Sequence, residues 1–250
     1  MTIQIRLISP AVNSRGHAAL LHQQYRLPDI TLSDRAVEKG PYEVETEIQD
    51  ALAVPYIIKE AIEAEREGVD AVVIDCMTDP GLRQAREAVA IPVVGVAETA
   101  MHLASQLSHK FGWIDPSEHS RPFVENQVLL YGLNGKLASF RAVEISPLQI
   151  QEDPQNTAKA LIDAALAAVI EDNAGILILG CTDFFDFKES IEAALLEKGK
   201  LVQVIEPSIT AVLQAAALVR IGLHHSKHSY PTPKKIKAFG YDDIPLSDIG

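Results

Sequence analysis

The sequence predicts an α/β protein with parallel sheets, arranged as two pseudo-symmetric, flavodoxin-like lobes with the active site in the cleft between them. Three observations support this. Short apolar runs alternate with longer helical patterns, the rhythm of strand–helix units feeding a parallel sheet. Two runs, Asp70-Ala71-Val72-Val73-Ile74-Asp75 and Ala174-Gly175-Ile176-Leu177-Ile178-Leu179-Gly180, have apolar interiors without alternation, as strands buried on both faces do. The chain's two cysteines, Cys76 and Cys181, each directly follow one of those runs.

In the first half, strands are expected over 3–8, 42–48, 71–75 and 91–96, the second of these from its alternating apolar positions. Helices are expected over 14–25, 55–67 and 80–89. The 55–67 helix rests on the spacing of Ile57, Ile58, Ala61 and Ile62 and stops at Gly68. The 80–89 helix has Pro80 in its first turn. In the second half, helices are expected over 97–108, 117–130, 156–171, 184–197 and 208–222. Strands there are expected over 111–114, 139–145, 175–179 and 201–205.

The halves echo each other. Each reads strand, cysteine, helix, then a second apolar strand ending near a glutamate: Ile91-Pro92-Val93-Val94-Gly95-Val96-Ala97-Glu98 in one, Leu201-Val202-Gln203-Val204-Ile205-Glu206-Pro207 in the other. Residues 1–97 with 207–225 are assigned to the first lobe and 98–206 to the second. Residues 226–250 are expected to be an extended tail, lying on the surface or on a neighbouring subunit.

Composition narrows the function. The 250 residues are 47% hydrophobic and 22% charged, as in soluble globular proteins, and can bury a full core. A net charge of −12 opposes nucleic-acid binding, because no basic stripe is present to neutralise phosphates. No segment reaches the roughly 20 apolar residues of a membrane span, and the first residues do not read as a signal peptide. A cytoplasmic homo-oligomer acting on a small molecule is expected, with reduced thiols in preference to a disulfide. No phosphate loop or dinucleotide fingerprint is present, so no cofactor is expected. His224, His225 and His228 lack a spaced carboxylate partner; a solvated helix end is the expectation, and no metal site is assigned.

A thiol between a buried strand and a helix points out of the carboxyl edge of the sheet, beside unpaired amide N–H groups. That setting favours thiolate. Two such thiols suit the removal of a proton from one face of a carbon and its return to the other. Met77, Thr78, Thr182 and Asp183 follow the cysteines, and amides near the two threonines, with their hydroxyls, are candidate donors to a carboxylate or ring carbonyl. Asn13 and Ser14, after the first strand, belong to the same sheet edge and are candidate substrate contacts, or else cap the first helix. Asp75 and Asp79 flank Cys76 and Asp183 follows Cys181. A carboxylate there raises a thiol pKa or relays a proton, although Asp79 before Pro80-Gly81 reads first as a helix cap. Glu98 and Glu206 either face the cleft or serve as helix-start carboxylates.

The segment Val72-Val73-Ile74-Asp75-Cys76-Met77-Thr78-Asp79-Pro80-Gly81-Leu82, followed by Ala85-Arg86-Glu87 and Ile91 to Glu98, resembles the aspartate/glutamate/hydantoin racemase superfamily, most closely its hydantoin racemase branch. Ile178-Leu179-Gly180-Cys181 and Ser226-Lys227-His228-Ser229-Tyr230-Pro231-Thr232-Pro233-Lys234-Lys235 are similar as well. The resemblance implies cofactor-independent racemisation at a carbon next to a carbonyl, with one cysteine as base and the other as acid. Three places differ from the branch: Ser9-Pro10-Ala11-Val12-Asn13-Ser14, Asp115-Pro116, and Thr182-Asp183-Phe184, the last closer to amino-acid racemases. The substrate expected is therefore of hydantoin or amino-acid type. The rival readings are a decarboxylase or isomerase on a related scaffold, and a binding protein that has lost turnover.

Overall fold

The computed structural model describes residues 2–13, 16–234, 236, 238–246 and 249. The chain forms two compact units, Met1–Val96 with Ala211–Gly250, and Ala97–Thr210.

The first unit runs β1 (Ile3–Ser9), α1 (His17–Gln24), β2 (Ile30–Ala36), α2 (Glu47–Arg66), β3 (Ala71–Ile74), α3 (Leu82–Ala88) and β4 (Val93–Gly95). Its four strands are parallel in the order β2-β1-β3-β4. β3 is buried at every position, because helices cover both faces of a parallel sheet. Ile57 and Ala61 of α2 and Leu82 and Ala85 of α3 pack with Val72 and Ile74 in one core.

The second unit runs α4 (Val96–Leu107), β5 (Phe111–Asp115), a 3₁₀ turn (Glu118–Ser120), α5 (Arg121–Leu130), β6 (Leu137–Ala142), α6 (Pro147–Glu152), α7 (Pro154–Ile170) and β7 (Leu177–Leu179). A 3₁₀ segment (Thr182–Phe187), α8 (Lys188–Glu197) and β8 (Val204–Ile205) complete it, and α9 (Pro207–Ile221) begins in this unit and from Ala211 belongs to the first. The strands of the second unit are parallel in the order β6-β5-β7-β8. Leu161, Ala165, Leu177, Leu179, Phe184 and Leu195 are at the centre of its core.

Numbered within its own unit, each sheet has the order 2-1-3-4, that of the flavodoxin-like doubly wound fold less one strand. The order reverses between the first and third strands, and ligands bind such sheets beyond the carboxyl ends of those strands. Both cysteines follow a third strand.

The strand expected over 42–48 is not formed; the second strand is β2, and α2 begins at Glu47. Tyr42, Val44, Thr46 and Ile48 alternate in sequence, but Thr46 is a helix cap. Its side chain accepts from the Gln49 amide at 3.4 Å, while the Gln49 side chain accepts from the Glu45 amide at 2.9 Å. Local capping outweighs a weak alternation. β2 was obscured by Ser33, Asp34 and Arg35, polar residues that an edge strand tolerates. α2 also runs through Pro55, where the sequence pattern had placed a helix start. α6 was not foreseen, and β8 is only two residues long, with Leu201 90% exposed outside it.

The start of the tail packs on its own unit. Lys227 Nζ donates to the carbonyls of Arg86, Glu87 and Val89 at 3.0, 3.0 and 2.7 Å, closing the carboxyl end of α3. His225 Nε2 accepts the outward N–H of Val93 on edge strand β4 at 2.9 Å. Tyr230 stacks edge-on against His225 and lies 5.6 Å from the guanidinium of the buried Arg86. His225 is thus an edge-strand partner, which corrects its reading as part of a solvated helix end. Among the described residues, no helix is long and apolar enough to cross a membrane.

Candidate active site

In the first unit, Cys76 begins the turn that leaves β3. Its Sγ lies 3.2 Å from Thr78 Oγ1, and Thr78 Oγ1 donates to Asp50 Oδ1 at 2.7 Å. Asp50 is in the first turn of α2. Burial pushes the Asp50 carboxyl up to about 6; the Thr78 hydrogen bond opposes this and the Glu47 carboxylate adds to it. Burial likewise pushes the Cys76 thiol up to about 12, with Asp50 adding, the Thr78 hydroxyl and amide opposing, and Asp79 adding further.

This corrects the expected thiolate at Cys76. The turn delays α3 until Leu82, so the sulfur is not in the first turn of a helix, where the dipole acts. Burial and two carboxylates outweigh what remains. Asp79 is not the helix cap either. The cap position is Gly81, whose φ of 68° is left-handed, and Asp79 itself has a φ of 49°. The Asp79 carboxylate lies so close to Gly95 that a β-carbon there would stand 2.5 Å from Oδ1.

Asp75, one residue before the cysteine, pairs with His17: its Oδ2 meets His17 Nδ1 at 2.6 Å, and both side chains are largely buried. Asp34, in β2, accepts the Ala18 amide at 3.0 and 3.1 Å, and burial raises its pKa. The carboxyl ends of β2 and β3 thus meet the start of α1. His17 and Asp50 were both missed in the sequence. Neither belongs to a motif; Asp50 carried one signal, its place in the first turn after the Thr46 cap. Met77 is buried, Thr78 half-buried, and Asn13 exposed in the bend after β1. Ser14 lies outside the described residues.

In the second unit, Cys181 follows β7 and caps the 3₁₀ segment in extended conformation, φ −141° and ψ 136°. Its carbonyl accepts the Phe184 amide at 3.1 Å. Thr182 is buried and Asp183 half-buried on the same segment. Gly180 is needed here: a β-carbon would lie 2.3 Å from Trp113 Nε1 and 2.6 Å from the Ile114 carbonyl. Trp113 Nε1 donates to Asp115 Oδ2 at 2.8 Å, and the Ser117 amide to Oδ1 at 3.0 Å. Asp115 ends β5, next to β7; burial pushes it up to about 6 against these hydrogen bonds and that of Ser120, with Glu118 adding. Glu206 caps α9, accepting the amides of Ser208 and Ile209 at 2.9 and 2.8 Å, and is 2% exposed. Glu98 lies half-buried in the first turn of α4. Among the described residues, no group of three or more His, Cys, Asp or Glu is placed to hold a metal ion.

The two parallel sheets have one order, and in each a cysteine leaves the third strand. The Asp/Glu/Hydantoin racemase family model matches residues 21–215, and the chain belongs to that family. It is an isomerase of the racemase class. It is 35% identical to a hydantoin racemase of Pseudomonas sp. (strain NS671) over 199 residues, 78% of each chain. An allantoin racemase structure from Pseudomonas fluorescens aligns with TM-score 0.85 and 26% identity, covering 95% of this chain and 100% of that one. One from Klebsiella pneumoniae aligns with TM-score 0.88 and 24% identity, covering 97% and 99%, a likeness of fold.

Proposed function

We propose that the protein is a cofactor-independent racemase of a hydantoin-type substrate, with Cys76 and Cys181 exchanging one proton at the carbon next to a ring carbonyl. The observation that carries this reading is the equivalent placement of the two thiols, each just past the third strand of a 2-1-3-4 sheet. The likeness to a hydantoin racemase supports the substrate class.

In the mechanism, one cysteine as thiolate takes the α-proton, and the C–H pair moves into the adjacent carbonyl as an enolate. The other cysteine as thiol then returns a proton to the opposite face. The amides of Thr78 and Thr182 and the Thr182 hydroxyl are assigned to the developing oxyanion, the Thr78 hydroxyl being committed to Asp50. Met77, Asp183, Asn13 and Ser14 are assigned to substrate contacts. Thr182-Asp183-Phe184 keeps an amino-acid substrate as the second reading.

The test is α-proton exchange in deuterated buffer with pure enantiomers of 5-substituted hydantoins and of amino acids. Exchange and racemisation of a hydantoin, unchanged by chelator and abolished by thiol alkylation, support the reading. A metal requirement, or exchange with neither class, overturns it.

A further inference from the structure

We propose that Asp50, acting through the Thr78 hydroxyl, is a positioning residue that holds Cys76 in its protonated, proton-donating form. Thr78 has a single O–H, and at 2.7 Å from a carboxylate oxygen it donates to Asp50 Oδ1. What Thr78 Oγ1 then offers the sulfur at 3.2 Å is a lone pair; the hydroxyl lowers the thiol pKa only where its hydrogen points at the sulfur, and Asp50 takes that hydrogen. A thiol satisfies that lone pair by donating S–H; a thiolate has no hydrogen to give and is repelled by it. The chain therefore runs Cys76 S–H to Thr78 O–H to Asp50 carboxylate, and it selects the thiol by direction as well as by charge.

The charged groups facing this chain agree. Asp50 acts on the sulfur from α2 and Asp79 from the cysteine's own turn, while Glu47 acts on Asp50. All three are acidic. Beside them, the Asp75 carboxylate is engaged by His17. Cys76 thus rests as the acid, and on the two-thiol reading proposed above the opening base is Cys181. Asparagine at position 50 lets the chain reverse: its amide N–H can donate to Thr78 Oγ1, which frees the hydroxyl to donate to a thiolate.

The chain has only two cysteines, so in a Cys181→Ser background the pH dependence of iodoacetamide alkylation reports Cys76 alone. Asp50→Asn is expected to lower the Cys76 titration midpoint by about one pH unit or more, with alkylation at pH 8 about tenfold faster. Thr78→Ser, which keeps the hydroxyl, is expected to leave the midpoint in place. In Thr78→Val, which removes the bridge, Asp50→Asn is expected to shift it by less than half as much. A midpoint that stays or rises in Asp50→Asn, with Thr78→Ser folded and titrating normally, overturns the proposal. In the two-cysteine protein, the alkaline limb of the racemisation profile should move down with the midpoint. A shifted midpoint without racemisation of any substrate upholds the proposal and overturns the function. Racemisation with an unmoved midpoint does the reverse.

Discussion

The turn carrying Cys76 and the turn carrying Cys181 occupy the same place in sheets of the same order, yet they are built differently. After Cys76 the helix is delayed until Leu82, and the sulfur meets a hydroxyl tied to a carboxylate from another helix. After Cys181 a 3₁₀ segment starts at once. The nearby buried carboxylate, Asp115, is instead held by Trp113 and Ser117. Repeated topology therefore gives two thiols one position without giving them one electrostatic setting. For a reaction that needs an acid and a base together, environments that differ are an advantage, because they separate the roles of like groups.

The largest effect should come from removing either thiol. Cys76→Ser and Cys181→Ser should each reduce racemisation by about 10³-fold or more, with non-additive effects in the double variant. α-Proton exchange should persist for one enantiomer in Cys76→Ser, where Cys181 remains as base, and should be much slower and confined to the opposite enantiomer in Cys181→Ser, where Cys76 is held as thiol. Exchange of the same enantiomer in both would break the comparison. Incubating each variant with each pure enantiomer in deuterated buffer makes the measurement.

The two glycines beside the turns should differ next. At Gly180 an added β-carbon meets a backbone carbonyl at 2.6 Å, whereas at Gly95 it meets the side-chain ends of Asp79 and Leu82. Side-chain ends rotate away and a strand carbonyl does not, so Gly180→Ala should cost about 3 kcal/mol and Gly95→Ala about 1 kcal/mol. Urea unfolding of both variants checks the order, and equal costs would remove the distinction.

A comparable effect concerns pH. Asp115 has its folded pKa raised to about 6, above the unfolded value. Its contribution to stability is therefore present in full below the unfolded value near 4 and is lost as pH rises through about 6. Asp115→Asn lacks this dependence. The stability of the variant minus that of wild type should rise by roughly 2 kcal/mol between pH 4 and 7. A flat difference in urea melts across that range would show that burial does not govern this carboxyl.

The smallest effect should be at the brace on α3, the helix after the first turn. Lys227→Met removes the cation from the carboxyl end of α3 and should cost about 1 kcal/mol. Melting temperature measures it, and an unchanged value would mean that water replaces the lysine without loss.

The sequence carried the fold where burial was uniform. β3, β5 and β7 are apolar at nearly every position, and their runs could be read directly. It failed at β2, where an edge strand carries Ser33, Asp34 and Arg35, and over 42–48, where a cap at Thr46 imitated strand alternation. It placed both cysteines at strand ends because a thiol after a buried run is a local pattern. It implied thiolate because the helix pattern after Cys76 begins with proline, which hides how long the turn is.

What the chain alone determined is thus the alternation of strands and helices, the two thiols at their strand ends and the family. Each follows from residues adjacent in sequence. What only the tertiary structure decided is the company those thiols keep. Asp50 is on α2, His17 on α1 and Lys227 beyond α9, and nothing in their local sequence marks them as neighbours of the Cys76 turn or of the helix behind it. Burial and long-range carboxylates set a thiol's proton affinity, and both are properties of packing, so Cys76 becomes a held acid only once the sheet has brought those elements together.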